Sequence, residues 1–380
     1  MPAASILIKP ASSNCNMDCK YCFYKVLCSN RKEYDKGFMT TETLESLVKE
    51  AIRYAEGSLT FAFQGGEPTL AGLDFYKKAV ALQKQYNTKN LVIENTLQTN
   101  GLLIDREWAS FLRENHFLVG ISLDGPQKMH DKNREDYLGN GTFEQVIAVT
   151  RLLREYQVPF NILSVITEDS AAKAGYLYKF YKRNRFSHIQ LIPCMDEVSR
   201  CSRQPESQAV KAASYGKFLC EIFDLWYEDF MSGEDIDIRM FSNLAQMAAG
   251  YPAEQCGMNG CCNCYFVVEG DGSVYPCDFY CTDKWRLGRV GKPFHEMLKS
   301  DTAARFLREG ALTSNPHCSR CPYFSLCRGG CRRWCENPDG SRGMNRLCEG
   351  YQIFFEHTRE RIQKLGQLIE QRYGRGDIFN

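Results

Sequence analysis

Between residues 5 and 232, short β-branched or aromatic runs alternate six times with longer segments of helical periodicity. Successive strand–helix units predict a parallel sheet, because parallel strands need crossover connections, which are right-handed. An open doubly wound sheet and a partial barrel both satisfy this pattern. We expect strands at 6–9, 59–63, 91–96, 118–123, 160–165 and 188–192, and helices near 40–56, 73–87, 105–115, 142–156, 171–184 and 206–232.

The pattern changes after about residue 250, where glycines, cysteines and hairpin-like runs at 264–268 and 273–275 replace the strand–helix alternation. Helical periodicity returns between residues 351 and 373. We therefore expect an α/β region at 1–232, a cysteine-rich domain at 233–350 and a C-terminal helix, packed back on the core, at 351–380.

Nineteen cysteines stand in a chain of 380 residues, with four before residue 30 and twelve between 256 and 348. The net charge of +1 gives no argument for nucleic acid, and no apolar run reaches the roughly 20 residues that span a bilayer. The N-terminus lacks the basic start of a signal peptide. A cytoplasmic chain is the expectation, and clustered cysteines in a reducing compartment indicate metal binding or catalysis rather than disulfides.

Polar or cysteine-bearing segments follow the expected strands, where ligands bind in parallel α/β folds. They share one face of the sheet because the carboxyl ends of parallel strands lie at the same edge. In chain order these segments are Cys15/Cys19/Cys22, Gln64 to Pro68, Gln98 to Gly101, Ser122 to Gly125, and Pro193 to Met195.

The first segment, Cys15-x3-Cys19-x2-Cys22, can supply three thiolates to a four-iron cluster and leave the fourth iron open. A structural zinc site is the alternative, and it would need a fourth ligand. Cys28 could serve, although its spacing exceeds the usual zinc pairings. The spacing favours the iron–sulfur cluster.

With Tyr21 as the aromatic residue before the third cysteine, this segment resembles the signature of radical S-adenosylmethionine (SAM) enzymes. In that family the open iron chelates S-adenosyl-L-methionine, which is cleaved to a 5′-deoxyadenosyl radical. The Gly65-Gly66-Glu67-Pro68 segment looks like the second family motif, which binds the methionine amino group. The fold expected with this resemblance is a partial (β/α)6 barrel followed by a two-cluster domain and the helix.

The later cysteines resemble the seven-cysteine extension called SPASM, with an eighth, Cys256, upstream. The resemblance implies two further [4Fe–4S] clusters with full protein ligation, and a pair of zinc knuckles is the alternative. Cys261 adjoins Cys262, which is preferred on the family spacing. The implied sets are Cys256, Cys262, Cys277 and Cys331, and then Cys318, Cys321, Cys327 and Cys348; Cys28, Cys194, Cys201, Cys220, Cys261, Cys264, Cys281 and Cys335 are left over.

Segments along nearly the whole chain, such as FAFQGGEPTLAGL and FVVEGDGSVYPCDFY, resemble the anaerobic sulfatase-maturating enzymes. These oxidise a cysteine or serine of an unfolded sulfatase to formylglycine. The resemblance implies an electron donor of the flavodoxin or ferredoxin type, whereas the net charge and the short apolar runs lead us to expect neither a nucleic acid nor a membrane partner. It also implies a general base at Asp278, substrate contacts at Tyr24 and Gln64, and cofactor contacts at Tyr21, Gly65, Gly66, Glu67 and Met195. The side chains of Ser122 and Arg134 have the chemistry to hold the ribose and carboxylate of the cofactor, and a solvated surface position is the alternative for Arg134.

Two other functions fit the cysteine pattern. One is a different SPASM enzyme, forming thioethers, crosslinks or epimers in a ribosomal peptide. The other is a non-catalytic binding module stabilised by zinc.

The three cysteine groups predict the iron content. Anaerobically reconstituted protein should hold about twelve irons and twelve sulfides, because four-iron clusters are held by cysteine thiolates. Replacing Cys15, Cys19 and Cys22 with alanine should leave about eight irons and abolish cleavage of S-adenosyl-L-methionine, because the two complete sets remain. Iron and sulfide assays measure this, and zinc in place of iron would contradict the reading.

Overall fold

The computed structural model describes residues 4–195, 208–234, 236–311, 316–337 and 341–373. Cys201, one of the leftover cysteines, lies outside these ranges. Within them, no helix combines the length and apolarity needed to cross a membrane. The strands are β1 Ala4–Ile8, β2 Ser58–Phe63, β3 Val92–Thr99, β4 Leu118–Ser122, β5 Phe160–Ile166, β6 His188–Pro193, β7 Asp237–Ile238, β8 Phe266–Val268, β9 Ser273–Tyr275 and β10 Gly288–Arg289.

Helices occupy the segments between the early strands and much of the remaining described chain. The six predicted ones are present, although the fifth is interrupted near Lys173 and the sixth begins at residue 212. The helices are α1 Phe23–Ser29, α2 Thr41–Tyr54, α3 Leu73–Tyr86, α4 Arg106–Glu114, α5 Gln127–Asn133, α6 Phe143–Glu155, α7 Glu168–Ala171, α8 Ala174–Arg183, α9 Ala212–Ser232, α10 Arg239–Ala248, α11 Phe294–Leu298, α12 Asp301–Gly310, α13 Pro316–Ser319, α14 Phe324–Cys327 and α15 Cys348–Tyr373.

The chain forms two compact units. The first comprises Met1–Leu123, His130–Asn161 and Asn263–Glu309, and the second comprises Asp124–Met129, Ile162–Cys262 and Gly310–Asn380. Residues that lie far apart in sequence therefore fold together in each unit. The α/β class and the helical C-terminus are confirmed, and the last helix begins three residues before the predicted position.

In the first unit the strand order is β10-β9-β8-β1-β2-β3-β4. The pairs from β8 through β4 are parallel, whereas β8, β9 and β10 form the antiparallel hairpins expected from the glycine-rich region. In the second unit, β5, β6 and β7 pair in parallel. Strand β1 is thus an inner strand with a parallel neighbour on each side.

Local sequence explains why these elements form. Strand β2 alternates between buried and half-buried residues, as expected for a strand with one face against the core. Helix α2 begins at a Thr40 cap, whose hydroxyl accepts a hydrogen bond from the backbone N–H of Thr43. Helix α4 begins at Asp105, whose carboxylate accepts a hydrogen bond from the backbone N–H of Trp108. Capping residues and apolar periodicity agree at the starts of these helices, so the sequence predicts their positions closely.

In the second unit, helices α9 and α15 meet at two glycines. A Cβ added to Gly350 would lie 2.1 Å from the carbonyl oxygen of Ala212, and one added to Gly216 would lie 2.5 Å from the carbonyl oxygen of Gly350. Phe223 and Phe354 pack edge-to-face with ring centroids 5.8 Å apart. The helix backbones therefore approach more closely than any larger residue would allow.

The close approach predicts that Gly350→Ala destabilises the protein. We expect a loss of about 1–3 kcal/mol in the free energy of unfolding, because the added methyl group must push one helix backbone away. Denaturant unfolding measures the loss. Gln363→Ala, an exposed position of the same helix, should change stability by less than about 0.5 kcal/mol. Equal stability of both variants would contradict the close packing.

Candidate active site

Glu67, in the loop after β2, is 1% exposed and fixes the loops that follow β2 and β3. Its Oε1 accepts hydrogen bonds from the Thr69 amide at 3.0 Å, the Thr69 hydroxyl at 2.6 Å and the Thr99 hydroxyl at 2.7 Å. Its Oε2 accepts one from the Asn100 amide at 2.8 Å. Burial raises the pKa of Glu67, and these donors oppose part of the rise. The carboxylate shapes this edge of the sheet, and its contact with the cofactor stays a prediction.

Gly65 and Gly66 lie where the same loop crosses the end of β1. Both have positive φ, at +105° and +55°. A Cβ on Gly65 would lie 2.6 Å from Cγ of Lys9, and one on Gly66 would lie 2.2 Å from the carbonyl oxygen of Asn14. Glycine is therefore required for close approach as well as for conformation.

The cysteines of the first segment lie in the loop after β1, and Cys22 directly precedes α1. Burial and the nearby Glu67 raise the pKa of Cys15 to about 12, and the Cys19 and Cys22 thiols add to the rise. Such a thiol ionises when a cation compensates the buried charge, and the irons of a cluster provide that compensation. The donor set therefore fits a cluster.

In the ranges that the structure describes, no three His, Cys, Asp or Glu side chains converge closely enough to hold one metal ion.

The structure brings two of the predicted cofactor residues together. The Arg134 guanidinium lies 5.5 Å from the centroid of the Tyr21 ring, and Arg134 is buried rather than solvated at the surface. Ser122, at the end of β4, accepts a hydrogen bond from Nε2 of Gln98 at 3.2 Å. Met195 lies in the second unit, just after β6, and is half-buried.

Asp278, in the turn after β9, meets both predicted substrate residues. The Tyr24 hydroxyl donates to its Oδ2 at 2.7 Å, and Nε2 of Gln64 lies 3.3 Å from the same oxygen. Nε2 of Gln64 also donates to the Tyr24 hydroxyl oxygen at 3.1 Å. Burial and the Asp278 charge raise the pKa of Tyr24, although Lys9 opposes the rise, so the phenol stays protonated and remains a donor. These three side chains form one hydrogen-bonded group.

Lys9, which follows β1, holds the other oxygen of this carboxylate. Its Nζ lies 2.7 Å from Oδ1 of Asp278, 3.4 Å from Oε1 of Glu269 and 3.6 Å from Sγ of Cys281. Burial alone would lower the pKa of Lys9, but the nearby carboxylates of Asp278 and Glu269 raise it well above its ordinary value. The ammonium therefore stays charged although Lys9 is 1% exposed.

A second cation, Arg31, also contacts the carboxylate of Glu269. Nη2 of Arg31 lies 2.7 Å from Oε1 of Glu269, and the Ser12 hydroxyl donates to Oε2 at 2.9 Å. Burial raises the pKa of the Cys281 thiol, and the Glu269 and Asp278 charges add to that rise, so this thiol stays neutral.

Sequence reasoning missed Lys9, Arg31 and Glu269, and it left Cys281 without a role. A charged residue directly after a buried strand was the available indication. Lys9 ends the run ILIK, and Glu269 ends FVVE. Such residues lie at the ligand-binding edge of a parallel sheet.

The second unit brings the second auxiliary set together. Burial raises the pKa of Cys327 to about 12, with contributions from Cys348, Cys318 and Cys321. Cys348 is the first residue of α15. The four thiols implied by the resemblance are therefore electrostatic neighbours, although they come from segments on either side of residues 328–347.

Three thiols of the first auxiliary set are also neighbours within this unit. Burial raises the pKa of Cys331 to about 12, and Cys262 and Cys256 add to the rise. Cys261 is exposed, as is Cys256, and the choice of Cys262 rather than Cys261 as the ligand stays a prediction. The fourth member, Cys277, belongs to the first unit.

The leftover cysteines within the described residues have mixed surroundings. Sγ of Cys281 donates to the carbonyl of Cys277 at 3.5 Å, and Sγ of Cys335 donates to that of Cys331 at the same distance. Cys220, predicted to lie in a helix, is in α9 and donates to the carbonyl of Ile353 at 3.8 Å. Cys28 and Cys194 are buried, whereas Cys264 is half-buried.

Two family models match the chain in the regions where these groups lie. The radical SAM superfamily model matches residues 10–173. The SPASM model, described as an iron-sulfur cluster-binding domain, matches residues 260–322. The first range contains Cys15, Cys19, Cys22 and Glu67, and the second contains Asp278.

Relatives of known activity extend over the whole chain. A cysteine-type anaerobic sulfatase-maturating enzyme of Clostridium perfringens is 45% identical over 97% of this chain and 100% of its own. A serine-type enzyme of Bacteroides thetaiotaomicron is 32% identical over 93% of this chain and 89% of its own. The solved structure of native anSMEcpe with bound AdoMet and Cp18Cys peptide has 44% identity, covers 97% of this chain and 100% of that chain, and has a TM-score of 0.91. The chain therefore belongs to the anaerobic sulfatase-maturating enzymes, radical SAM oxidoreductases with a SPASM extension.

Proposed function

We propose that this enzyme oxidises a cysteine of a sulfatase-type polypeptide to formylglycine. It uses S-adenosyl-L-methionine and three [4Fe–4S] clusters. The 45% identity to a cysteine-type enzyme, against 32% to a serine-type enzyme, supports cysteine as the target. The peptide-bound anSMEcpe structure supports a peptide segment as the form in which the target enters. Among the functions left open by the cysteine pattern, this one has support along the full chain.

One contact carries the proposal. Tyr24 stands two residues after Cys22, and its hydroxyl donates to Oδ2 of Asp278 at 2.7 Å. The proposed base is therefore hydrogen-bonded to a residue close to the segment proposed to hold the cluster. Radical generation and proton removal have to act on the same substrate carbon and sulfur, so their residues must lie together.

When bound, the cofactor and clusters supply a 5′-deoxyadenosyl radical that removes a β-hydrogen atom and an auxiliary acceptor for the second electron. Cys15, Cys19 and Cys22 would hold the first cluster. Tyr21, Gly65, Gly66, Glu67, Ser122, Arg134 and Met195 would hold S-adenosyl-L-methionine, and the sets containing Cys262 and Cys327 would hold the auxiliary clusters.

Asp278 would accept the thiol proton of the substrate cysteine at Oδ2, while Tyr24 and Gln64 orient that oxygen. Ordinary aspartate and cysteine side chains differ by roughly 4.6 pKa units, equivalent to about 6 kcal/mol. The proton transfer must therefore be coupled to loss of the hydrogen atom and the electron, after which the thioaldehyde is hydrolysed by water.

The remaining assignments complete the proposal. An electron donor of the flavodoxin or ferredoxin type would supply electrons to the cluster that Cys15, Cys19 and Cys22 would hold. The radical SAM domain spans 1–232, the SPASM domain spans 233–350 and the terminal helix spans 351–380. Location in the cytoplasm is proposed because so many thiols have to stay reduced.

Oxidation of a sulfatase peptide tests the function. A peptide with the sequence Cys-x-Pro-x-Arg should lose the mass of two hydrogen atoms on forming the thioaldehyde. Hydrolysis should then replace the sulfur with oxygen and release hydrogen sulfide, which lowers the mass again. With deuterium at the cysteine Cβ, mass spectrometry should find deuterium in 5′-deoxyadenosine. Transfer from Cα instead would support epimerisation or an α-thioether. Intact cofactor cleavage without transfer from any sulfatase peptide would contradict the substrate.

The role of Asp278 is tested by Asp278→Asn. This variant should keep its iron and still form 5′-deoxyadenosine, because radical generation does not use the base. Peptide oxidation should fall by about 10² to 10⁴, the usual contribution of a general base. Both products are measured from the same reaction. Peptide oxidation at the wild-type rate would show that Asp278 is not the base.

A further inference from the structure

Four buried or nearly buried charges form one chain of contacts that ends at the proposed base. Arg31 contacts Glu269 at 2.7 Å, Glu269 contacts Lys9 at 3.4 Å, and Lys9 contacts Asp278 at 2.7 Å. The side chains of the first three are each 1% exposed, and that of Asp278 is 12% exposed. Two cations and two carboxylates balance, so the group carries no net charge into the core.

The sheet register places these residues side by side. Ile8 pairs with Val268 in the parallel ladder of β1 and β8, and the Lys9 amide donates to the carbonyl of Val268 at 2.8 Å. Lys9 and Glu269 are the next residues of the two strands. Their contact is thus set by backbone pairing rather than by a mobile loop.

Contacts with neighbouring side chains restrict where the ammonium of Lys9 can lie. Its contacts are Asp278, Glu269, the Cys281 sulfur at 3.6 Å and the face of the Tyr24 ring, whose centroid is 4.6 Å away. These contacts hold the ammonium from several sides.

The position of Lys9 determines how Asp278 is oriented. Oδ1 is shielded from solvent and is in contact with the ammonium, whereas Oδ2 receives the Tyr24 and Gln64 donors. Oδ2 is therefore the oxygen left to meet a substrate thiol. The Gln64 contact, at 3.3 Å, is the longest of the three and can yield to the thiol because Gln64 also donates to Tyr24.

We propose that Lys9 is a positioning residue for the oxidation, which fixes Asp278 with Oδ2 turned toward the substrate. This inference rests on the proposed function. Lys9 acts through Asp278 and does not itself touch the substrate. Without the ammonium, Oδ1 loses its partner, and only the Tyr24 and Gln64 donors on Oδ2 still restrain rotation of the carboxylate about its Cβ–Cγ bond. Hydrogen abstraction then continues, but fewer of the resulting radicals lose their thiol proton.

The position of Lys9 also requires glycine at residue 65. A Cβ at this position would lie 2.6 Å from Cγ and 2.8 Å from Cδ of Lys9. Because glycine has only a hydrogen here, the space through which the lysine side chain reaches Asp278 stays open. One residue of the motif proposed to bind the cofactor thus also protects the position of the base.

A purely structural role for Lys9 would consist of neutralising buried carboxylates. The two roles differ in what Lys9→Met/Glu269→Gln restores. This double variant removes one positive and one negative charge, so the group stays neutral. Charge balance alone would return normal turnover, whereas positioning requires the ammonium itself.

The experiment compares wild type, Lys9→Met, Lys9→Met/Glu269→Gln and the matched control Lys182→Met, all with reconstituted clusters. Lys182 is also in an ion pair with an aspartate, Asp229, at 2.8 Å. The measured quantity is the amount of 5′-deoxyadenosine formed per peptide oxidised. For both variants without Lys9 we expect it to rise by about tenfold to a hundredfold, because small displacements of a catalytic group cost that much. KM for the peptide should stay unchanged while kcat for oxidation falls, and the control should match wild type.

Iron content and the thermal midpoint establish which variants are folded. If Lys9→Met does not fold, the neutral double variant is compared in its place. A wild-type ratio in Lys9→Met, or recovery of that ratio in the double variant, would overturn the positioning role. Failure of wild type to oxidise the peptide would contradict the proposed function instead.

Discussion

The parallel pairing of β1 with β2 on one side and with β8 on the other organises the first unit. Ile8 is level with Phe63 in one ladder and with Val268 in the other. The residues that follow, Lys9, Gln64 and Glu269, therefore emerge at one edge of the sheet. Strand β8 belongs to the cysteine-rich part of the sequence, so this pairing joins the proposed base and the first cysteine segment in one unit.

Local patterns were sufficient for the six strands and the main helices, because apolar alternation and capping residues mark their ends. The short helix α1 was missed, since seven residues carry too little periodicity. The parallel partnership of β8 with β1 could not be predicted either, because nothing local specifies which distant strand lies beside β1. The contact between Lys9 and Glu269 depends on that pairing, so the sequence motifs could not predict the group of buried charges.

The resemblance was sufficient to identify the Tyr24, Gln64 and Asp278 group. The resemblance assigned these residues from separate segments, and the structure brings their polar atoms within 3.3 Å of one another. What the resemblance lacked was the support behind the group. A lysine after a strand has no distinctive spacing, whereas cysteines are recognised by their intervals.

Cys348 stands at the beginning of α15, and its partners by resemblance precede it in the chain. During synthesis on the ribosome, this predicted ligand and its helix emerge after the other two cysteine sets have already been made. The second auxiliary set is therefore the last to acquire its full complement of sulfur. A chain truncated after Cys348 would keep this sulfur but lose the rest of the helix that presents it, so the geometry of the second auxiliary set depends on the helix that follows.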